Sequence, residues 1–389
     1  MKLIHTADLH LDAWFAGVGM PASFGNRRRQ CLRDVLATIL QRAAAWPADA
    51  VLIAGDLFDH ERVTPDTTAF MRSAFERIRP VPVFIAPGNH DPYVPGSPYV
   101  TERWPDNVII FDAPAWRAYA LPDAPLTVHG FGFDGFDLSA NPFGALHPPA
   151  DGRAHVAVTH GSERGRQPPG KTAYAPFDAA DAADPNLHYL ALGHFHRVTP
   201  ITGPFTTAMY YSGAPEGHGF DETGALHYLE VEIDPPQDGP PVVRVTPVCA
   251  ARAVYEVHEI ECDEHSHSQQ VIDAIRNLPA PEARERIARI VLKGSCPPAL
   301  QNALPEVYDA VAEQFAFLDL VDETHPVEDY EALAATGTTL GIFIQRISRE
   351  IADAPDARTR AMLERARLAG LNAYRGREMP IRGLERDGA

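Results

Sequence analysis

Ligand-type side chains recur where short apolar runs stop. Asp8 and His10 close KLIHTADLH, Asp56 closes AVLIAGD, Asn89 and His90 sit in PGNHD after VFIA, His160 closes VAVTH, and His194 and His196 close ALGHFH. On an extended segment residues two apart point the same way, so Asp8 with His10, and His194 with His196, each suit one cation. Gly55 permits a sharp turn and close backbone approach just before Asp56. Imidazole mixed with carboxylate suits Mn, Fe, Zn or Ni better than Mg or Ca, which prefer oxygen alone. Seven or eight such groups exceed what one ion uses, so two ions sharing a carboxylate are the economical reading. Two ions about 3.5–4 Å apart are an arrangement that hydrolyses phosphate esters. Any one of these motifs alone is a turn or surface feature. Five apolar runs ending in the same chemistry are not.

The elements that must position these groups follow from periodicity. Between the first two runs, Cys31, Leu32, Val35, Leu36, Ile39, Leu40 and Ala43 recur at helical spacing, and Phe70, Met71, Ala74, Phe75 and Ile78 mark a second helix. Strand and helix alternate, which predicts an α/β layer with ligands gathered at the carboxyl ends of its strands. WRAYAL and LTVHGFGF read as paired strands, and MYYSG and ALHYLEVEI as two more joined by a Gly-rich turn. That is more sheet than one layer holds. The predicted fold class is therefore α/β, a two-sheet β core flanked by helices, over residues 1–245. Residues 234–242, DPPQDGPPV, read as a linker or edge loop. A small α+β domain is expected over 246–325, and residues 326–389 read as two C-terminal helices and a polar tail.

Composition bounds the rest. At 389 residues, with 45% hydrophobic and 22% charged residues, the chain is globular and long enough for two or three domains. Lys and Arg number 34 against 52 Asp and Glu, a net charge of −18 that excludes a surface coated in basic charge for non-specific nucleic-acid binding. A local basic groove remains compatible. Cysteines 31, 249, 262 and 296 show neither zinc-site spacing nor disulfide-scaffold density and read as reduced thiols. The N-terminus lacks the apolar core of a signal peptide, and no run approaches the roughly 18 apolar residues of a membrane span. A cytoplasmic protein without a membrane partner is expected.

The five blocks together, D8-x-H10, GD56, GN89-H90-D91, TH160-G and GH194-x-H196, resemble the signature of the calcineurin-like metallophosphoesterases. The flanking IHTADLHLD, LIAGDLFD, THGS and YSGAPEGHGFDE are similar to its DNA-repair exonuclease branch, the SbcD and YhaO type nuclease subunits. The likeness is close over residues 1–222 and one of layout beyond. It implies the metallophosphoesterase fold with a small capping domain, and two divalent ions, Mn2+ foremost. One would be held by Asp8, His10, Asp56 and His196, the other by Asp56, Asn89, His160 and His194, with Asp56 as the bridge. It implies that His90 is a catalytic non-ligand that helps the leaving oxygen depart, and that Arg164, Arg166 and Lys171 lie on a substrate-facing loop. Where relatives commonly read Y-P-G-S-P, this chain has Tyr211, Ser212, Gly213, Ala214 and Pro215.

The resemblance further implies a two-metal DNA nuclease, exonuclease or endonuclease, acting in DNA repair. Its partners would be DNA, a second copy in a homodimer, and an SbcC-like coiled-coil ATPase docked on C-terminal helices around Leu340, Ile342, Phe343, Ile344 and Ile347. Such a partner would supply the grip on DNA that an acidic chain lacks. Two other readings compete: a phosphodiesterase or phosphatase for a small nucleotide on the same site, and a DNA-tethering scaffold with a vestigial site. Arg27, Arg28 and Arg29 read either as phosphate contacts or as a solvent-facing helix start, and His5 and His60 as partners that orient ligands.

Overall fold

The computed structural model describes residues 1–15, 20–167, 172–234, 242–281 and 284–376. Lys171 and the polar tail fall outside the described residues. The chain divides into two compact units. One comprises Met1–Ile260, Gln269–Leu292 and Pro305–Asp322; the other comprises Glu261–Ser268, Lys293–Leu304 and Glu323–Ala389.

In the first unit the apolar runs are strands. β1 (Lys2–Thr6), β2 (Ala50–Ile53), β3 (Val83–Ile85) and β4 (Val108–Ile110) lie parallel in one sheet. A second sheet has the order β5-β6-β7-β8-β10-β9, from β5 (Arg117–Ala120), β6 (Leu126–Phe131), β7 (Ala154–His160), β8 (Leu187–Gly193), β9 (Thr199–Ile201) and β10 (Ala208–Tyr211). The first sheet is completed by β11 (His227–Asp234), antiparallel to β1, and β12 (Val242–Cys249), antiparallel to β11. The Pro/Gly-rich stretch therefore joins two paired strands of one sheet. β10 and β11 are not a hairpin either: they belong to different sheets, and residues 212–226 cross between them.

Strand alternation divides the apolar side chains between two layers. Ile4, Val51, Ile53, Val83 and Ile85 face α1 (Ala22–Ala45) and α2 (Pro65–Arg77), whose Leu32, Val35, Leu36, Ile39, Met71 and Phe75 fill that side. Leu3, Leu52 and Phe84 point the other way and meet Val128, Val156, Val158 and Tyr189 of the second sheet. The two sheets approach closely beside the site. A Cβ on Gly193 would lie 2.0 Å from the Ala54 carbonyl oxygen, so only glycine fits there.

Away from the ligand-type residues, two of the buried polar side chains, His5 and Arg28, connect distant parts of this unit. His5 on β1 reaches across to β8, where Nε2 donates to the Leu192 carbonyl at 3.2 Å and Nδ1 accepts from the Tyr189 hydroxyl at 2.8 Å. It ties the sheets together and orients no ligand. Burial drives its pKa down to about 3, against the Leu192 hydrogen bond that raises it. The unfolded chain, near 6.5, therefore binds the extra proton, and stability must fall as pH drops from 6.5 toward 3. We expect the stability advantage of the wild type over His5→Gln to shrink by about 1.4 kcal/mol per pH unit between about pH 6 and pH 4. Urea titrations at stepped pH measure it, and a pH-independent difference contradicts this role for His5.

Arg28 is the second such group. It has no exposed surface, pairs with Glu216, donates to the Gly217 carbonyl at 3.0 Å, and lies 5.5 and 5.6 Å from the Phe15 and Tyr255 rings. Only Arg27 and Arg29 of the basic run face solvent.

Beyond Cys249 the chain forms β13 (Ala253–Cys262), α4 (Ser268–Arg276), β14 (Glu285–Cys296), α5 (Pro298–Asn302), α6 (Leu304–Val311) and β15 (Phe317–Asp322), with sheet order β13-β14-β15. The short β16 (His325–Pro326) pairs with β14 through Ser295 and Cys296. In the second unit the first expected helix is split in two. α7 (Tyr330–Ala334) stops, and α8 (Thr339–Ala352) restarts where Thr338 caps the Gly341 amide; α9 (Ala357–Tyr374) follows. Ile344 and Ile347 of α8 are buried, whereas Ile342 is exposed. No described helix is long and apolar enough to cross a membrane.

Candidate metal centre

The ligand-type residues sit at the last residue of β7, His160, and on the loops that leave β1, β2, β3 and β8. Asp8 and His10 share a centre, but not as neighbours on an extended strand. Both have left-handed backbone (φ 53° and 44°), as do Asp12 (64°), Asp56 (53°) and His194 (115°). Non-glycine residues rarely adopt this conformation, and the strain is held by the surrounding bonds. His10 and Leu11 donate their amides to the carbonyls of Asp56 and Leu57, which binds the first loop to the second. Asp91 does the same for the second and third loops. Its carboxylate accepts from the amides of Asp56 (2.9 Å), Leu57 (2.8 Å) and Gly88 (2.7 Å) and from the Tyr99 hydroxyl (2.7 Å).

Asp56 lies at the middle. Its Oδ2 is 3.7 Å from His10 Nε2 and 3.4 Å from His160 Nε2, while Oδ1 accepts the His90 amide at 2.9 Å. Burial raises its pKa, but His160, His10 and His90 together bring it down to about 2, so it is a carboxylate. Four groups among the described residues have ligand atoms within 4.8 Å of one another and could hold an ion: Asp8, Asp56 and His160; His10, Asp56 and His90; Asp8, His10 and His196; and His196, His218 and Glu222. Asn89 Oδ1 lies 3.1 Å from His160 Nε2, and the His194 ring stands edge-on to His160 at 5.3 Å. The glycines leave room: a Cβ on Gly55 or Gly88 would fall 2.4 Å from His160 Nδ1 or Asp56 Oδ1.

The rings are turned so that one nitrogen is anchored outside the centre and the other points into it. His160 Nδ1 donates to the Ala54 carbonyl (2.9 Å), His10 Nδ1 bonds Asp59 (2.9 Å) and His196 Nδ1 bonds Glu222 (2.5 Å), so each presents Nε2. Such outer hydrogen bonds fix the tautomer of a ligating imidazole. His10 Nε2 is buried and has no hydrogen-bond partner among the described residues, although it faces the Asp56 carboxylate. An orphaned acceptor beside an ionised aspartate fits a cation, and the oxygen and nitrogen donor set fits a transition metal. His196, pulled down by burial but lifted by Glu222 and Asp8, reaches about 9, whereas burial and His160 take His194 down to about 3.

His90 is set apart. Its side chain is half exposed to an open cleft of about 610 Å³, and its Nδ1 lies 3.3 Å from the same Asp59 oxygen that anchors His10. Asp59 outweighs burial and raises the His90 pKa to about 9, leaving the ring a donor.

Sequence reasoning missed Asp59, Asp91 and Glu222. Asp59 lies one turn from Asp56 in GDLFD, a spacing that offers the signal; Asp91 and Glu222 look like ordinary turn carboxylates. His218 also faces the cleft, with Nδ1 3.2 Å from Glu222 and Nε2 3.2 Å from the Leu9 carbonyl. His60 lines the cleft without bonding a ligand side chain; its amide donates to the His90 carbonyl. Arg164 and Arg166 pair with Asp178 and Glu163 and do not line the cleft.

The profile of the calcineurin-like phosphoesterases matches residues 1–198. An uncharacterized metallophosphoesterase of Bacillus subtilis, YhaO, is 27% identical over 326 residues, covering 81% of this chain and 78% of its own length. A dimetal phosphatase of known structure from Danio rerio aligns with 59% of this chain and 91% of its own, at 11% identity and a TM-score of 0.37.

Proposed function

Because the chain belongs to the calcineurin-like phosphoesterase family, we propose that its cleft holds two divalent ions, Mn2+ foremost, and hydrolyses DNA phosphodiesters as an exonuclease or endonuclease in repair. The observation that carries this reading is the crowding of ligand-type side chains around one buried carboxylate, Asp56, which His10 and His160 both face and which shares a ligand group with Asp8, beneath an open cleft. Asp8, His10, Asp56 and His196 would hold one ion, and Asp56, Asn89, His160 and His194 the other. Such a pair supplies Lewis-acid activation of water and neutralises charge on the phosphoryl oxygens.

The chain's own groups do the rest. Asp8, besides serving as ligand, accepts the His194 amide at 3.0 and 3.1 Å and so fixes the strained turn that presents His194 and His196. His90, anchored through Nδ1 to Asp59, donates from its other ring nitrogen to the leaving oxygen. The likeness of the flanking segments to the SbcD and YhaO type subunits favours DNA over a small ester, as do the residues beyond the phosphoesterase region. The same likeness supports a homodimer docked on an SbcC-like ATPase through α8.

The test is purified protein with end-labelled duplex DNA and, separately, a cyclic dinucleotide, each with Mn2+ or chelator. We expect Mn2+-dependent shortening or nicking of the DNA. His90→Ala should slow it by about 10²–10⁴-fold, the usual worth of a positioned acid, while binding as much metal as the wild type. Intact DNA beside a consumed dinucleotide overturns the DNA reading, and loss of metal in His90→Ala overturns the assigned role.

A further inference from the structure

Three side chains at the mouth of the cleft have no part in the chemistry above. Trp14 is 67% exposed and Phe136 50% exposed, yet both line the cleft with His10, Asn89 and His90. Two large rings left in water at one opening call for a ligand that covers them. Their positions are built. Trp14 follows the loop that carries Asp8 and His10, and Phe136 lies on the segment after β6, edge-on to His60 at 5.5 Å. The Arg62 guanidinium stands over the Trp14 ring at 5.1 Å, and no carboxylate pairs with it among the described residues. Arg164 and Arg166, by contrast, are taken up by Asp178 and Glu163.

We propose that Trp14, Phe136 and Arg62 form a nucleobase grip beside the metal centre, the rings stacking a base attached to the scissile phosphodiester and Arg62 meeting its flanking phosphate. Stacking on aromatic rings holds a base through its π-face and not its charge, and Arg62 adds a cation for the backbone in a chain of net charge −18. A base reaches such rings only when it is out of the duplex stack. The ligand is therefore a single strand, a frayed end or a small nucleotide ester. This deepens the proposed function and rests on its nucleotide substrate.

The experiment compares Mn2+-loaded wild type, Trp14→Ala and Phe136→Ala on labelled oligothymidylate and on an abasic strand of the same length. We expect the wild type to cleave the base-bearing strand with about 10-fold or greater advantage in kcat/KM, within the range of one stacked base. Both variants should lose that advantage and keep the abasic rate. Equal cleavage of the two strands by the wild type, or an undiminished advantage in Trp14→Ala, overturns the grip. If the wild type cleaves neither strand, the DNA reading fails, and the grip is judged by quenching of tryptophan fluorescence with deoxyguanosine 5′-monophosphate against deoxyribose 5-phosphate. Base-dependent quenching that disappears in Trp14→Phe assigns the grip to a small nucleotide, and its absence in the wild type overturns it.

Discussion

Asp56→Asn is expected to lower phosphodiester hydrolysis by about 10³-fold or more and to reduce bound metal to at most one ion per chain. The substitution is chosen to remove charge and little else. Asparagine tolerates the left-handed backbone found at this position, and its oxygen can still accept the His90 amide. What is lost is the carboxylate that His10 Nε2 and His160 Nε2 both face. Metal ions provide several kcal/mol of transition-state charge stabilisation, and each 1.36 kcal/mol is a factor of ten in rate. Initial rates beside metal analysis of dialysed protein give the answer. A variant that retains full metal and more than a tenth of the rate contradicts the assignment of Asp56 as the shared ligand.

Glu216→Ala is expected to destabilise the first unit by about 3–5 kcal/mol, the usual cost of leaving one partner of a buried ion pair alone. Glu216 neutralises the fully buried Arg28 and accepts the amides of Arg252 (2.6 Å) and Ala253 (3.3 Å), so alanine orphans a charge and two donors at once. Arg28→Met with Glu216→Gln should recover most of the loss, because the charge is gone and an acceptor for the amides remains. Denaturant unfolding of the two variants and the wild type separates the cases. Wild-type stability in Glu216→Ala contradicts the pairing.

The strands and the polar residues that end them were legible because each apolar run stops at a residue with metal chemistry, and five repetitions outweigh the ambiguity of one. The local form of the site was not. Nothing in D-x-H reveals that Asp8 and His10 both adopt positive φ, since that conformation is imposed by hydrogen bonds to the Asp56 loop, distant in sequence. Asp91 was hidden for a related reason: as a turn residue it resembles any other, and its function as an acceptor for amides of two loops exists only once β2 and β3 lie side by side.

Arg28 misled because a run of three arginines suggests a solvated face, while helix geometry turns the middle one inward toward Glu216. The path from β10 to β11 misled because sheet membership is decided by which partner strand is free, β1 in this case, and not by nearness in sequence. Trp14 and Phe136 carried no periodic signal at all. They stand out only through exposed surface beside the candidate ligands.

The central claim is that two cations share the Asp56 carboxylate. Anomalous scattering from crystals soaked in Mn2+ tests it most directly: the account predicts two peaks, one on the His10 and His196 side of Asp56 and one on the Asn89 and His160 side. A single peak beside that carboxylate, or none, would contradict it.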